Sequence, residues 1–254
     1  FAAWLDMSPA DSDMFGIPDP DSLIQLPWNK EVGWLASDLW MNGKPVEASP
    51  RIMLKNQIKK LKKQNLTMKS GVECEYFLIS PDGNSIADPR DTQSKPCYDQ
   101  SALMRRYDLI KEICDCMIEM GWGPYQNDHE DANGQFEMNW DYDDCLKTAD
   151  RHTFFKYMVK TLAEKHGLRA TFMPKPFENL TGNGCHAQAL CCHLVERVSQ
   201  HDCGSDTGDL IIPDHYIGDA KEQSLAQSAP GMGESKFLGG EAPCLERRNG
   251  QSIP

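Results

Sequence analysis

Glu73 and Glu75 stand one residue apart in residues 71–79, a stretch of β-prone apolar and aromatic residues bounded by Pro81-Asp82-Gly83. A strand repeats every two residues, so both carboxylates point to the same face. Like charges so close repel, and if buried they require protonation or a cation; on a solvated strand face they are harmless. Glu130 and Glu137 flank Asp131-Ala132-Asn133-Gly134, and Asn-Gly is the strongest short-range turn signal in the chain. A tight turn brings such positions near one another across a ladder. Four carboxylates on adjacent strands would make a site for a hard divalent cation, Mg²⁺ or Mn²⁺, which prefers oxygen ligands and binds beside phosphates. His186 is a candidate fifth ligand. It follows Thr181-Gly182-Asn183-Gly184-Cys185, a loop whose glycines would allow backbone to approach a substrate, although a histidine after a turn is also an ordinary structural residue. No catalytic side chain beyond these ligands is assigned.

The elements that must position these residues follow from periodicity. Residues 51–64 and 101–120 read as helices, 124–140 as two strands of a hairpin, 143–166 as a long helix and 169–173 as a strand stopped by Pro174 and Pro176. In the long helix Leu146, Ala149, Phe155, Met158, Val159 and Leu162 fall near one face, and Gly167 stands just past its end. Strands joined by a tight turn are antiparallel, so the main domain is expected to be α+β. Residues 1–50 are dense in turn signals and predict a small β-rich unit or its remnant. There is no internal repeat.

Composition bounds the function classes. The 254 residues carry a formal charge of -12, which opposes a nucleic-acid partner because a polyanion surface needs clustered Lys and Arg. The one dense basic run, residues 55–63, is interleaved with apolar residues and reads as the solvated face of an amphipathic helix. No apolar run is long enough to span a bilayer, and residues 1–6 lack the order of a signal peptide, so no membrane partner is expected. The chain begins without Met and reads as starting inside a domain, so any targeting segment is expected to lie outside it. Ten cysteines at irregular spacing suggest reduced thiols in an intracellular compartment.

Four blocks taken together resemble a known family. Gly71-Val72-Glu73-Cys74-Glu75-Tyr76-Phe77-Leu78, then His129-Glu130 with Gly134-Gln135-Phe136-Glu137, then Thr171-Phe172-Met173-Pro174-Lys175-Pro176-Phe177, then Gly184-Cys185-His186 follow the order found in glutamine synthetases. Lys95-Pro96-Cys97-Tyr98-Asp99 and residues 128–135 look most like the type III branch, which includes the γ-glutamylmethylamide synthetases. The resemblance covers roughly residues 1–187. It implies an antiparallel-sheet catalytic domain over residues 51–188, preceded by a partial β-grasp-like domain over 1–50. It also implies that Glu75, Glu130 and Glu137 hold one divalent metal and that Glu73 and His186 hold a second. Gly182 and Asn183 match the position that binds glutamate. The implied activity is an ATP-dependent carbon–nitrogen ligation of glutamate to ammonia through γ-glutamyl phosphate, with Mg²⁺ or Mn²⁺ as cofactor, in a cytoplasmic ring-shaped homo-oligomer that serves glutamine biosynthesis. Methylamine is the alternative acceptor.

Past Ala187 the resemblance nearly stops. The family has a second His two positions after the metal His, where this chain has Gln188, followed by Cys191-Cys192-His193. Residues 189–254 are therefore expected to be a divergent, poorly ordered tail. Arg197, Arg247 and Arg248 match none of the family's phosphate-binding motifs, so a non-catalytic relative acting as a regulator or subunit is a further alternative.

Overall fold

The computed structural model describes residues 11–193. Turn residues cut the opening stretch into short antiparallel pieces: β1 (Met14–Pro18), β2 (Ile24–Leu26), β3 (Asn29–Trp34), β4 (Ser37–Met41) and β5 (Lys44–Pro45). β4 lies between β1 and β5, while β2 and β3 form a separate hairpin. Helix α1 (Pro50–Lys62) starts with proline in its first turn, where the missing N–H costs nothing. Its residue Arg51 donates to Asp19 at 2.8 Å, Asp38 at 2.6 Å and Asp150 at 2.9 Å, and Lys55 donates to Asp38 at 2.5 Å. The Arg51 and Lys55 hydrogen bonds hold the Asp19 carboxyl down, to about 2. The basic run is thus only partly a solvated face, because Lys55 is tied to the β-rich unit.

The remaining chain builds one antiparallel sheet around a long central strand, β6 (Leu66–Ile79). After it come α2 (Gln100–Met104), α3 (Tyr107–Glu119), β7 (Pro124–His129), β8 (Gln135–Trp140), β9 (Asp143–Asp144), α4 (Cys145–Lys165), β10 (Arg169–Thr171) and β11 (Cys185–His193). The order is β10-β6-β8-β7, with β9 and β11 also paired to β6. This is the α+β architecture with an antiparallel sheet that was expected.

Three local expectations change. The helix expected over 101–120 is two helices, because Arg105 pairs with Asp88 and Arg106 Nη2 donates to the Ala87 carbonyl at 2.6 Å, pinning the chain where it bends. β6 begins at Leu66 rather than near Gly71, since β11 pairs with it from Cys185↔Cys74 out to His193↔Leu66. Residues 189–193, read from sequence as the start of the tail, therefore continue a strand; backbone pairing asks for no particular side chain. Residues 194–254, and with them most of that tail reading, lie outside the described residues.

Alternation sorts the two faces of the sheet. Cys74, Tyr76 and Leu78 of β6, with Phe136, Met138 and Trp140 of β8, turn toward α3 and α4 and form the main core. There α4 contributes Phe154, Phe155, Met158, Val159 and Leu162, all fully buried. Ala149, expected on this stripe, is exposed, and Thr148 and Arg151 are buried instead. Thr148 Oγ1 donates to the Ser70 carbonyl at 2.7 Å, and the Arg151 guanidinium lies 5.5 Å from the Trp122 ring centre. On the opposite face Phe77, Ile79 and Ala132 make a smaller cluster, next to the glutamates.

Candidate metal centre

Register places the acids. Glu75 of β6 is directly opposite Glu137 of β8, and Glu137 is in turn opposite Asp128 of β7. On the other side of β6, Glu73 is opposite His186 of β11. Ligand atoms of Glu75, Glu137 and His186 lie within 4.8 Å of one another, as do those of Asp128, Glu130 and Glu137. Glu137 is common to both groups, and this division differs from the one the family resemblance implies. Glu73 stands at the open end, with its Oε2 3.7 Å from His186 Nδ1 and its Oε1 accepting from Gln188 at 3.4 Å.

The charges here are poorly compensated. Among the described residues, no Lys or Arg forms an ion pair with Glu75, Glu130 or Glu137. Burial, together with the charges of Glu130, Glu75 and Glu73, pushes the Glu137 carboxyl up to about 7, even though Asn139 hydrogen-bonds to it. Burial also raises Glu130, reinforced by the charge of Glu75. Glu75 is raised by burial, against the hydrogen bond that it accepts from the Gly184 N–H at 2.9 Å. Crowded carboxylates with raised affinity for a proton have the same reason to take up a cation.

Gln135 is a site residue the sequence reading did not single out. Its amide nitrogen donates to Glu75 Oε2 at 2.7 Å, the Gly182 carbonyl at 3.0 Å and Asn183 Oδ1 at 3.2 Å, linking the acids to the 181–184 loop. The available signal was its place two residues before Glu137, hence on the same strand face. Asp128 was legible in the same way, from hairpin register. A third omission is Asp91, which accepts from Gly134 N at 2.6 Å and is 2.7 Å from His129 Nε2, bracing the hairpin that carries Glu130. It lies far upstream in a loop, where no periodicity points to it.

The 181–184 loop is shaped by its glycines. A Cβ on Gly182 would come 2.5 Å from the Pro174 carbonyl oxygen, and one on Gly184 would come 2.7 Å from Glu75 Oε1. Asn183 donates its side-chain amide to the Met173 and Thr171 carbonyls at 2.9 and 3.3 Å, and its backbone N–H to Pro174 at 2.7 Å. Both amide hydrogens of Asn183 are thus engaged within the protein.

An antiparallel α+β domain with a half-buried set of carboxylates and one imidazole on a single sheet face defines a class of candidate divalent-cation-binding domains. The family model for the glutamine synthetase catalytic domain matches residues 47–194, and the chain belongs to that family. It is 66% identical over 199 residues to a glutamine synthetase of Rhizobium leguminosarum bv. phaseoli, covering 78% of this chain and 46% of that protein. It is 40% identical over 190 residues to a glutamate–methylamine ligase of Methyloversatilis universalis, covering 73% and 43%. A solved GmaS/ADP complex superposes with a TM-score of 0.74 at 61% identity, over 79% of this chain and 48% of that one. The chain spans about half the length of the curated relatives it matches. Among the described residues no helix is long and apolar enough to cross a membrane.

Proposed function

We propose that this chain is the metal-binding part of a glutamine synthetase-type ligase, which condenses glutamate with ammonia through γ-glutamyl phosphate and is driven by ATP. The observation that carries this is the pair of ligand groups that share Glu137, one with Glu75 and His186 and the other with Asp128 and Glu130, within a family whose members use a divalent metal and ATP. The donor set suits Mg²⁺ or Mn²⁺, since it is oxygen-rich with a single imidazole and its carboxylates are held protonation-prone by burial and by one another.

In this reading Glu75, Glu130 and Glu137 hold one cation, with Asp128 in reach of the same position, and Glu73 and His186 hold a second. When bound, such cations neutralise the oxygens of a transferring phosphoryl group and allow an acyl phosphate to form. Gln135 fixes the Glu75 carboxylate and ties it to the loop at 181–184. Gly182 and Asn183 shape the surface where glutamate rests; Gly182 does so through its bare backbone, and Asn183 by holding the loop rather than by touching substrate. The organisation proposed is a β-grasp-like unit to residue 50 followed by the catalytic domain, in a cytoplasmic ring-shaped homo-oligomer. Methylamine as the acceptor is the second reading, supported by the likeness to GmaS and to the glutamate–methylamine ligase.

The test is phosphate release from ATP with glutamate and Mg²⁺ or Mn²⁺, with ammonia and methylamine compared, on this chain and on Glu75→Ala. Amine-dependent turnover lost in the variant is expected, and the preferred amine selects between the readings. Failure of the chain to bind Mn²⁺ would sink both.

A further inference from the structure

Behind the acidic face, β6 and β11 present a second set of donors. Cys74 and Cys185 are directly opposite each other in the antiparallel register, one residue along from Glu73↔His186, and so point to the helix side. His152 of α4 meets them there, and one ligand atom from each of the three lies within 4.8 Å of the other two. Cys74 is 1% exposed and Cys185 is half-buried, with its side chain against the main core. Both ring nitrogens of His152 are buried without a hydrogen-bond partner, which is rare for a polar group in a core and asks for a ligand. Burial lowers the imidazole to about 4, reinforced by the charge of Lys156, so at neutral pH a lone pair faces the cluster.

We propose that Cys74, Cys185 and His152 form a binding site for a borderline-soft divalent cation of the zinc type, on the opposite face of β6 from the acidic cluster. Two sulfurs and an imidazole match that ion as oxygen matches Mg²⁺. Tetrahedral coordination with bonds near 2.3 Å needs donors about 3.8 Å apart, a spacing compatible with groups that lie within 4.8 Å of one another. Coordination releases the two thiol protons to solvent and leaves two thiolates balancing the divalent charge. The site therefore adds no net charge beside Lys156, whose field reaches all three groups. Three protein ligands leave a fourth position for water.

The experiment uses the full chain, reduced and stripped with a chelator, titrated with Co²⁺. Thiolate ligands give an intense sulfur-to-cobalt charge-transfer band in the near-ultraviolet, to which the carboxylates of the acidic cluster contribute nothing. A band saturating at one equivalent and erased by Zn²⁺ is expected. Cys185→Ser should roughly halve it, and His152→Ala should weaken Co²⁺ binding by at least about 10-fold. A Cys191→Ser/Cys192→Ser variant should leave it unchanged, and Mn²⁺ binding at the acidic cluster should survive in every variant as a check on folding. The proposal is overturned by absence of the band while thiol titration shows the cysteines free, by a band that persists in Cys74→Ser/Cys185→Ser, or by Cys74 and Cys185 proving joined in a disulfide.

Discussion

The two faces of β6 carry the same backbone and opposite chemistry. On the helix side Tyr76 is surrounded by Phe136, Phe155 and Phe172, with ring centres 5.6–6.2 Å away, and the packing closes on itself. On the other side Glu75, Glu137 and Glu130 crowd together with no Lys or Arg paired to them among the described residues, and each carboxyl is pushed toward its protonated form. The aromatic packing of the first face needs no added group and stabilises the fold. The acidic cluster of the second is relieved only by a proton or a cation, and so it is the place where a hard cation binds. Its strain is tolerated because the aromatic core behind it holds the strands fixed.

Substitutions on the two faces should differ in sign. The largest effect is expected from Phe155→Ala, which empties a fully buried position between Tyr76, Trp140 and Phe172. It should cost about 3–5 kcal/mol in urea unfolding, equally with and without Mg²⁺. Glu137→Gln should do the reverse. The folded Glu137 carboxyl sits at about 7 against an ordinary 4.5, so between those pH values the native state binds more protons than the unfolded one. Stability of the metal-free chain therefore falls as pH rises from about 4.5 to 7, by about 2–3 kcal/mol if the whole shift is expressed. Glu137→Gln should flatten that slope and raise metal-free stability at pH 8 by a similar amount, while weakening Mn²⁺ binding about 100-fold or more. A metal-free chain whose stability rises over this window would break the comparison.

The alternation behind this contrast was legible from Glu73-Cys74-Glu75 alone, because a two-residue period needs no tertiary information. The hairpin that brings Glu130 and Glu137 to the same sheet was legible from Asn133-Gly134. What sequence could not supply was whatever depends on distant partners. Asp91 braces the hairpin from a loop about forty residues upstream. The bend at Arg105 and Arg106 is set by contacts to Asp88 and Ala87. The extension of β6 back to Leu66 depends on β11, a strand more than a hundred residues downstream. Cys74 was read as core packing; its neighbours Cys185 and His152 lie 111 and 78 positions away in the sequence, and only the fold brings them together.

A smaller effect is expected where the acidic face is tied to its loop. Gln135→Ala removes one of the two donors on Glu75 Oε2 and frees the loop at Gly182 and Asn183. Loss of such an outer partner should weaken Mn²⁺ binding about 10–100-fold and cost about 1–2 kcal/mol, as read by calorimetric titration and urea unfolding. Gln135→Glu would add a further crowded carboxylate and should steepen the loss of stability with rising pH.

The smallest structural effect should come from His186→Ala, and it makes the contrast sharpest. The His186 side chain is 76% exposed and lies 3.7 Å from Glu73, so the packing loses almost nothing. Stability without metal should stay within about 0.5 kcal/mol of the parent chain. A second, weaker phase of Mn²⁺ binding should nevertheless disappear from the titration, because a ligand at the rim contributes only when the ion is present. If both phases survive, His186 is a surface residue and the second cation must be held by Glu73 with other oxygens. If stability drops by more than about 1 kcal/mol, the rim is part of the packed structure, and the division between a face that holds and a face that binds fails at that edge.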